Sequence, residues 1–204
     1  MANPLKELLG DIDIYLFDQL LKGRFDKCRR VVDIGCGGGR NLHYFLKNGF
    51  EVYGIDRSEH AIADVKALCR QLAPDHSTEN FVAGNIEGIP FEKESFDLAI
   101  CSAVLHFADD KVHFESLLHA CWNMVKPGGY FFTRLASDIG IEELVIDLDN
   151  GKHMLPDGSE RYLVNHQRLL DYTHHLGAEL FEPIKTTNVH NMRAMTTWCL
   201  QKKA

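Results

Sequence analysis

A chain of 204 residues that is 45 % hydrophobic and 25 % charged can bury a substantial core and has the composition of an ordinary globular protein. A formal charge of −7, with no clustered run of Lys and Arg, counts against a nucleic-acid partner. No apolar run approaches the ~20 residues of a membrane span or the apolar core of a secretory signal, so a cytoplasmic protein without a membrane partner is expected. Its six cysteines, Cys28, Cys36, Cys69, Cys101, Cys121 and Cys199, form no C-x-x-C pair and sit mostly inside apolar patterns, which reads as reduced structural thiols.

From Asp11 to Leu21, Ile12, Tyr15, Leu16, Leu20 and Leu21 recur at helical spacing, and Gly23 can stop that helix. Arg30–Ile34 is then a short β-branched strand that empties into Gly35-Cys36-Gly37-Gly38-Gly39. Ligands in open α/β sheets sit at the carboxyl edge of such strands, and glycine lets the backbone turn sharply and approach them. A dinucleotide fingerprint would want a small third residue where this chain has Arg40; the spacing that fits is acidic-x-G-x-G-x-G, read as Asp33, Gly35, Gly37 and Gly39.

Leu42, Phe45 and Leu46 continue as a helix stopped by Asn48-Gly49, and Glu51–Asp56 reads as a second parallel strand. Asp56, some twenty residues past the glycines, can accept hydrogen bonds from both hydroxyls of a bound ribose. Arg57 could lay its planar guanidinium along an adenine face, and Ser58 can cap a helix through Leu72. Asn80–Ala83 is the third strand, running into Gly84-Asn85-Ile86 and then Ile89-Pro90-Phe91. Strand four, from Phe96, ends in the small residues Cys101, Ser102 and Ala103 before His106. Asp109-Asp110 suit the start of a helix whose buried face runs from Phe114 to Val125, and Lys126-Pro127-Gly128-Gly129 should end that helix and turn into a fifth strand at Tyr130. His106, Asp109, Asp110 and His113 are read as a solvated helix start, with no metal site.

Between Ala136 and Val164 periodicity is lost, and Leu155-Pro156-Asp157-Gly158-Ser159 is a turn signal that suggests a small hairpin or lid. Asn165 can cap a helix that Gly177 stops, and Glu179–Thr186 and Ala194–Gln201 read as two closing strands. The expected organisation is an N-terminal helical segment over 1–28 and a main domain over 29–204 carrying an insertion at about 136–164.

Taken in order, the glycine turn, the F-D-L strand that leads to His106, the Lys-Pro-Gly-Gly run and the final strand pair resemble the class I methyltransferases that use S-adenosylmethionine (SAM). That resemblance implies a Rossmann-like, seven-stranded, mostly parallel sheet with helices on both faces and an antiparallel last strand. It implies SAM as cofactor, contacted by Asp33, Gly35, Cys36 and Gly37 at the turn, Asp56 and Arg57 at ribose and adenine, Asn85 and Ile86 at the adenine edge, and Cys101 and Ser102 beside the methionine arm. Asn85 departs from the family's usual aspartate, although an amide oxygen still accepts from the adenine amino group. His106 is the titratable side chain placed near the transferred methyl, hence a candidate base. An acceptor that is a small molecule would meet the N-terminal helix at Tyr15 and the insertion at Asp147, His153, Arg161 and Tyr162, in a protein acting as monomer or homodimer. Gly39-Arg40-Asn41 is also similar to tellurite-resistance-type enzymes, whose oxyanion acceptors need no base. A SAM-binding protein without catalysis and an NAD(P)-dependent oxidoreductase are the alternatives.

Overall fold

Residues 4–204 are described by a computed structural model. In chain order its elements are α1 (Pro4–Leu9), α2 (Ile14–Leu21), β1 (Arg30–Ile34), α3 (His43–Lys47), β2 (Glu51–Asp56), α4 (Glu59–Leu72), β3 (Phe81–Ala83), β4 (Phe96–Ser102), α5 (Lys111–Trp122), β5 (Val125–Ser137), β6 (Ile146–Asp147), β7 (Lys152–Met154), β8 (Glu160–Tyr162), α6 (His166–His175), β9 (Ala178–Leu180), β10 (Lys185–Val189) and β11 (Arg193–Lys202).

The apolar runs of β1 and β4 are buried from end to end, as strands covered on both faces must be. The central sheet runs β10-β11-β5-β4-β1-β2-β3, with β9 also paired to β11. β1 through β5 are mutually parallel, while β11 is antiparallel to β5, β9 and β10. Strands β1, β2 and β3 progress one way from the centre and β4 and β5 the other, so order reverses between β1 and β4. The crevice at their carboxyl ends is where an open α/β sheet admits a ligand.

Two hydrophobic cores cover the two faces. Trp122, Phe114, Phe131 and Trp198 belong to one; Leu16, Phe25, Phe45 and Val65 belong to the other, so the N-terminal segment packs directly on the sheet. All six cysteines are buried and free. Ser58 caps α4 through Ala61 N–H at 3.2 Å, Asp110 caps α5 through His113 N–H at 2.8 Å, and Asn165 caps α6 through Arg168 N–H at 2.8 Å. Each cap satisfies a helix N–H that would otherwise lack an intrahelical acceptor.

Three boundaries differ from expectation. Helix α5 ends at Trp122, before Lys126-Pro127-Gly128-Gly129, and those four residues form a bulge inside β5. There β4 advances two residues, Phe96 to Leu98, while β5 advances five, Val125 to Tyr130. Asp97 fixes the bulge: it accepts from Arg29 N–H and Arg30 N–H at 2.8 Å each and pairs with Lys126, tying the starts of β1, β4 and β5 together. The strand expected over Glu179–Thr186 is broken into β9 and β10, because Pro183 has no N–H to donate and Glu182 turns inward to meet Lys22 at 2.6 Å and Lys185 at 2.7 Å. The segment 138–164 carries a three-stranded antiparallel sheet, β6-β7-β8, and the turn expected at Leu155–Ser159 is closed by Leu155 N–H to Ser159 C=O at 2.9 Å. Among the described residues no helix is long and apolar enough to cross a membrane.

Candidate functional site

The turn after β1 is held by β2. Gly35 N–H and Cys36 N–H both donate to Ile55 C=O, at 2.8 and 3.1 Å, and Gly37 N–H donates to the Asp56 carboxylate at 2.9 Å. The other Asp56 oxygen accepts from Ser58 N–H at 2.9 Å. One carboxylate therefore clamps the glycine turn and the start of α4, with lone pairs left over for a ligand. Gly35 must be glycine: its φ is +77°, and a Cβ there would meet Val104 Cγ2 at 2.4 Å. Gly39 (φ +84°) lets α4 close in, since its Cβ would meet Val65 Cγ2 at 2.7 Å.

A cavity of about 430 Å³ opens beside this turn, within the usual size of a ligand pocket. It is lined by Gly35, Asp56, Arg57, Asn85, Ile86 and Ser102, six of the ten residues that the sequence assigns to a cofactor. Val104, Phe107 and Leu117 complete an apolar wall, and Glu87 with His113, paired at 3.2 Å, adds a polar rim. Cys36 and Gly37 line an adjoining cavity of about 310 Å³ that shares Gly35 and Ser102 with the first and is walled further by Arg40 and Asn41.

Two assigned cofactor contacts fall elsewhere. Cys101 is buried in the sheet core with its thiol turned to Cys121, so the strand-end contact rests on Ser102. Asp33 is buried beneath the turn, lines neither cavity, and has no hydrogen-bond partner on either carboxylate oxygen. Burial pushes its carboxyl up to about 7, opposed in part by the positive charge of Arg40.

At the end of β4 the chain turns through Ala103 at φ +63°, a left-handed conformation that costs a non-glycine residue about 1 kcal/mol or more. Its N–H donates to Arg134 C=O at 2.7 Å, and Ala103 forms part of both the first cavity and a further one of about 260 Å³. His106 lines this further cavity together with Arg134, Arg161 and Arg193. His106 Nδ1 accepts from Ala136 N–H at 3.1 Å, so the neutral ring carries its proton on Nε2 and offers a donor. Burial, assisted by the charge of Arg161, lowers its pKa to about 4. The expected base is thus a hydrogen-bond donor at neutral pH, its acceptor nitrogen already occupied.

Behind these cavities lies a polar network that the sequence reading missed. The buried Asp13 carboxylate, at the cap of α2, accepts from Tyr15 N–H at 3.0 Å, from Ser102 Oγ at 3.2 Å and from Arg134 at 3.1 Å, with Arg40 at 3.7 Å. Asn41 Oδ1 accepts from Asp13 N–H at 3.0 Å, and Arg40 also donates to Ser102 Oγ at 3.2 Å. One signal was available: Arg134 is a lone charge within the apolar stretch Tyr130–Ala136.

Of the candidate acceptor contacts, Arg161 lines one of these three cavities and the others line none of the three. Tyr162 is buried and stacked on Phe114 at 4.8 Å between ring centres, because alternation on β8 turns it toward the core when Arg161 faces out. His153 hydrogen-bonds to Gly151 C=O at 3.1 Å within its own hairpin, and Asp147 accepts from Asp149 N–H at 2.9 Å. Tyr15 stands one layer back: its hydroxyl meets Thr187 Oγ1 at 2.5 Å and its ring lies 5.3 Å from the Arg134 guanidinium carbon.

Residues 32–133 match the family profile described as a methyltransferase domain. The chain belongs to that family. A ubiquinone biosynthesis O-methyltransferase of Paraburkholderia phymatum is 34 % identical over 142 residues, covering 66 % of this chain and 56 % of the relative, so the chain spans little more than half of that relative's length. In three dimensions a SAM-dependent methyltransferase from Methanosarcina mazei superposes with a TM-score of 0.72 at 18 % identity, over 90 % of this chain and 97 % of the other. A 1,6-didemethyltoxoflavin-N1-methyltransferase from Burkholderia thailandensis, solved with its substrate and S-adenosylhomocysteine, gives 0.68 at 16 % identity, over 91 % and 76 %. The seven sheet positions and the antiparallel last strand thus agree with methyltransferase folds.

Residues of this methyltransferase-family chain fit the family's cofactor chemically. Gly35 brings bare backbone to the cavity wall where Val104 leaves no room for a Cβ, Asp56 has free acceptor capacity, and Asn85 and Ile86 add an amide and an apolar wall to the same cavity.

Proposed function

We propose that this chain is a SAM-dependent methyltransferase acting on a small-molecule acceptor. One observation carries the reading: the cavity walled by Gly35, Asp56, Asn85 and Ile86 meets, at Ala103, a second cavity of different character lined by arginines. A cofactor compartment adjoining an acceptor compartment is what a group transfer between two molecules requires.

SAM, when bound, supplies a methyl group on a sulfonium, already activated for displacement by a nucleophile in line behind it. Asp56 would accept from the ribose hydroxyls, and Asn85 with the Ile86 N–H would meet the adenine edge, with Arg57 at the ring face. Gly35 and Gly37 would admit the methionine arm along the turn, and Ser102 would bound it at the end of β4. Asp33 would act from beneath the turn, and Cys36 through its backbone.

Orientation and exclusion of water are the protein's own contributions. The N-terminal segment supports the cavities from behind, where Asp13 reaches Ser102 and Arg134, and Leu155, Ser159 and Arg161 of the insertion line the second cavity. His106 would hold an acceptor atom through Nε2–H and leave no basic nitrogen free, which suits a nucleophile that arrives already deprotonated. The O-methyltransferase relatives support oxygen as the atom methylated.

Calorimetric titration with S-adenosylhomocysteine and with NADH, on the chain and on Asp56→Ala, tests this reading. The expected result is micromolar binding of S-adenosylhomocysteine alone, weakened at least a hundredfold in the variant while the melting temperature shows it folded. NADH binding alone would overturn it. Release of S-adenosylhomocysteine from SAM with an added acceptor then separates an enzyme from a protein that only binds the cofactor.

A further inference from the structure

The second cavity has a donor-rich lining that methyl transfer as such does not require. Three arginines, Arg134, Arg161 and Arg193, line about 260 Å³. Two of them are compensated: Arg134 by the buried Asp13 at 3.1 Å, and Arg193 by Asp157 at 3.7 Å. Asp157 also accepts from Ser159 N–H at 3.0 Å, and its carboxyl is held low first by the Ser159 hydroxyl and then by the two arginines. Arg161 has no carboxylate within ion-pair distance among the described residues; its guanidinium carbon lies 4.8 Å above the Phe107 ring, and one nitrogen donates to Glu160 C=O at 2.6 Å. A planar guanidinium stacked on one face and tethered at one nitrogen keeps its remaining N–H groups in a fixed fork, the geometry that pairs with a carboxylate.

His106 adds a further donor. Its Nδ1 is occupied by Ala136 N–H, so Nε2–H is the group left to make a contact. Three arginines against Asp157 make the lining positive on balance, with a surplus of donors over acceptors. A planar guanidinium fork beside a single N–H donor suits the two oxygens of a carboxylate. Leu155, Val189 and Met195 form the rest of the wall and suit a carbon skeleton.

On the methyltransferase reading above, we propose that the acceptor is a small organic acid whose carboxylate is held by Arg161 and by His106 Nε2–H in the cavity beyond Ala103. The carboxylate orients the acceptor, and Arg161 selects acids over their neutral analogues. Arg193 and Asp157 form the rim, and Arg134 with Asp13 forms the floor, fixed in place by α2.

The test uses the full chain and three probe pairs: acetate against acetamide, benzoate against benzamide, and 4-hydroxybenzoate against its methyl ester. Each is titrated calorimetrically with and without saturating S-adenosylhomocysteine, with inorganic phosphate as a further probe. At least one acid should bind ten or more times tighter than its neutral partner. Arg161→Gln should abolish that ratio, Arg161→Lys should restore part of it, and both variants should bind S-adenosylhomocysteine as the parent chain does. Equal binding of acid and neutral partner in every pair, an unchanged ratio in Arg161→Gln, or phosphate binding tighter than every acid would each overturn the proposal. Failure of S-adenosylhomocysteine to bind the parent chain would instead strike the methyltransferase reading, and the acid-to-neutral ratio would still judge the carboxylate site.

Discussion

The two cavities that meet at Ala103 are built in opposite ways. The first is made at the ends of parallel strands: Gly35 from the turn after β1, Asp56 from the end of β2, Asn85 and Ile86 from the turn after β3. Each group sits within a few residues of the strand that positions it, and the sheet brings the strands together. The second is made of side chains from segments far apart in the chain: His106, Arg134 on β5, Arg161 on β8 and Arg193 on β11. A cofactor common to many proteins can be met by a local, repeatable device, whereas an individual acceptor is met by convergence of distant residues. Removing charge from the second cavity should therefore leave cofactor binding intact, and disturbing the turn should leave the acceptor end intact.

The sharpest way to break that separation is at Asp13, the group that touches both ends. Asp13→Ala removes the partner of Arg134 and the acceptor for Ser102, leaving a half-buried guanidinium without its carboxylate. Loss of one member of a buried pair costs about 3 kcal/mol or more. We expect a drop in chemical-denaturation stability of that size and S-adenosylhomocysteine affinity within a few-fold of the parent. A hundredfold loss of cofactor affinity at unchanged stability would show that the network belongs to the cofactor end.

Asp33 gives the next effect, and it is a matter of pH. Its carboxyl titrates at about 7 when folded, well above the ordinary value near 3.8, because burial penalises its charge by more than the Arg40 cation offsets. Between those values the unfolded chain releases a proton that the folded chain retains. Its contribution therefore favours folding at acid pH, declines as pH rises toward 7, and is level above it. Asp33→Asn cannot ionise, so its stability relative to the parent should improve from pH 5 to pH 8 by on the order of 2–3 kcal/mol. A stability difference that stays flat with pH would mean that Asp33 titrates normally, and the turn is then not strained by a buried charge.

Gly35→Ala tests the turn itself. The new methyl would meet Val104 Cγ2 at 2.4 Å in a left-handed backbone conformation, a clash worth about 1–3 kcal/mol. S-adenosylhomocysteine binding should fall at least tenfold, while any acid-to-neutral ratio at Arg161 is retained. Loss of both together would show that the two cavities act as one.

How much of this was legible in the sequence follows the same division. The glycine turn, the place of Asp56, Asn85 and Ile86 at one cavity, the capping residues Ser58, Asp110 and Asn165, and the last strand could be read because periodicity and turn chemistry are local. Cys101 and Ser102 were both placed by their position at a strand end, yet alternation sends Cys101 into the core and leaves Ser102 at the cavity. Tyr162 and Arg161 divide in the same way, and local sequence does not say which face of β8 looks inward. Asp13 falls inside the Asp11–Leu21 span of helical spacing, and its role depends on Arg134, 121 positions away. Pro183 is a local signal against a continuous strand, since it has no N–H to donate to the ladder.

Tyr15 yields the smallest expected effect and the finest distinction. As an acceptor contact it would lose substrate affinity on truncation of its hydroxyl. In the structure that hydroxyl meets Thr187 Oγ1, and the ring lies against the Arg134 guanidinium. Tyr15→Phe keeps the ring and its attraction for the cation but gives up one neutral hydrogen bond, a net loss of about 1 kcal/mol. A small fall in melting temperature with KM and the acid-to-neutral ratio unchanged is expected of a residue that supports Arg134 from behind. A rise in KM without any change in stability would bring Tyr15 forward into the acceptor cavity and make the N-terminal helix part of what selects the substrate.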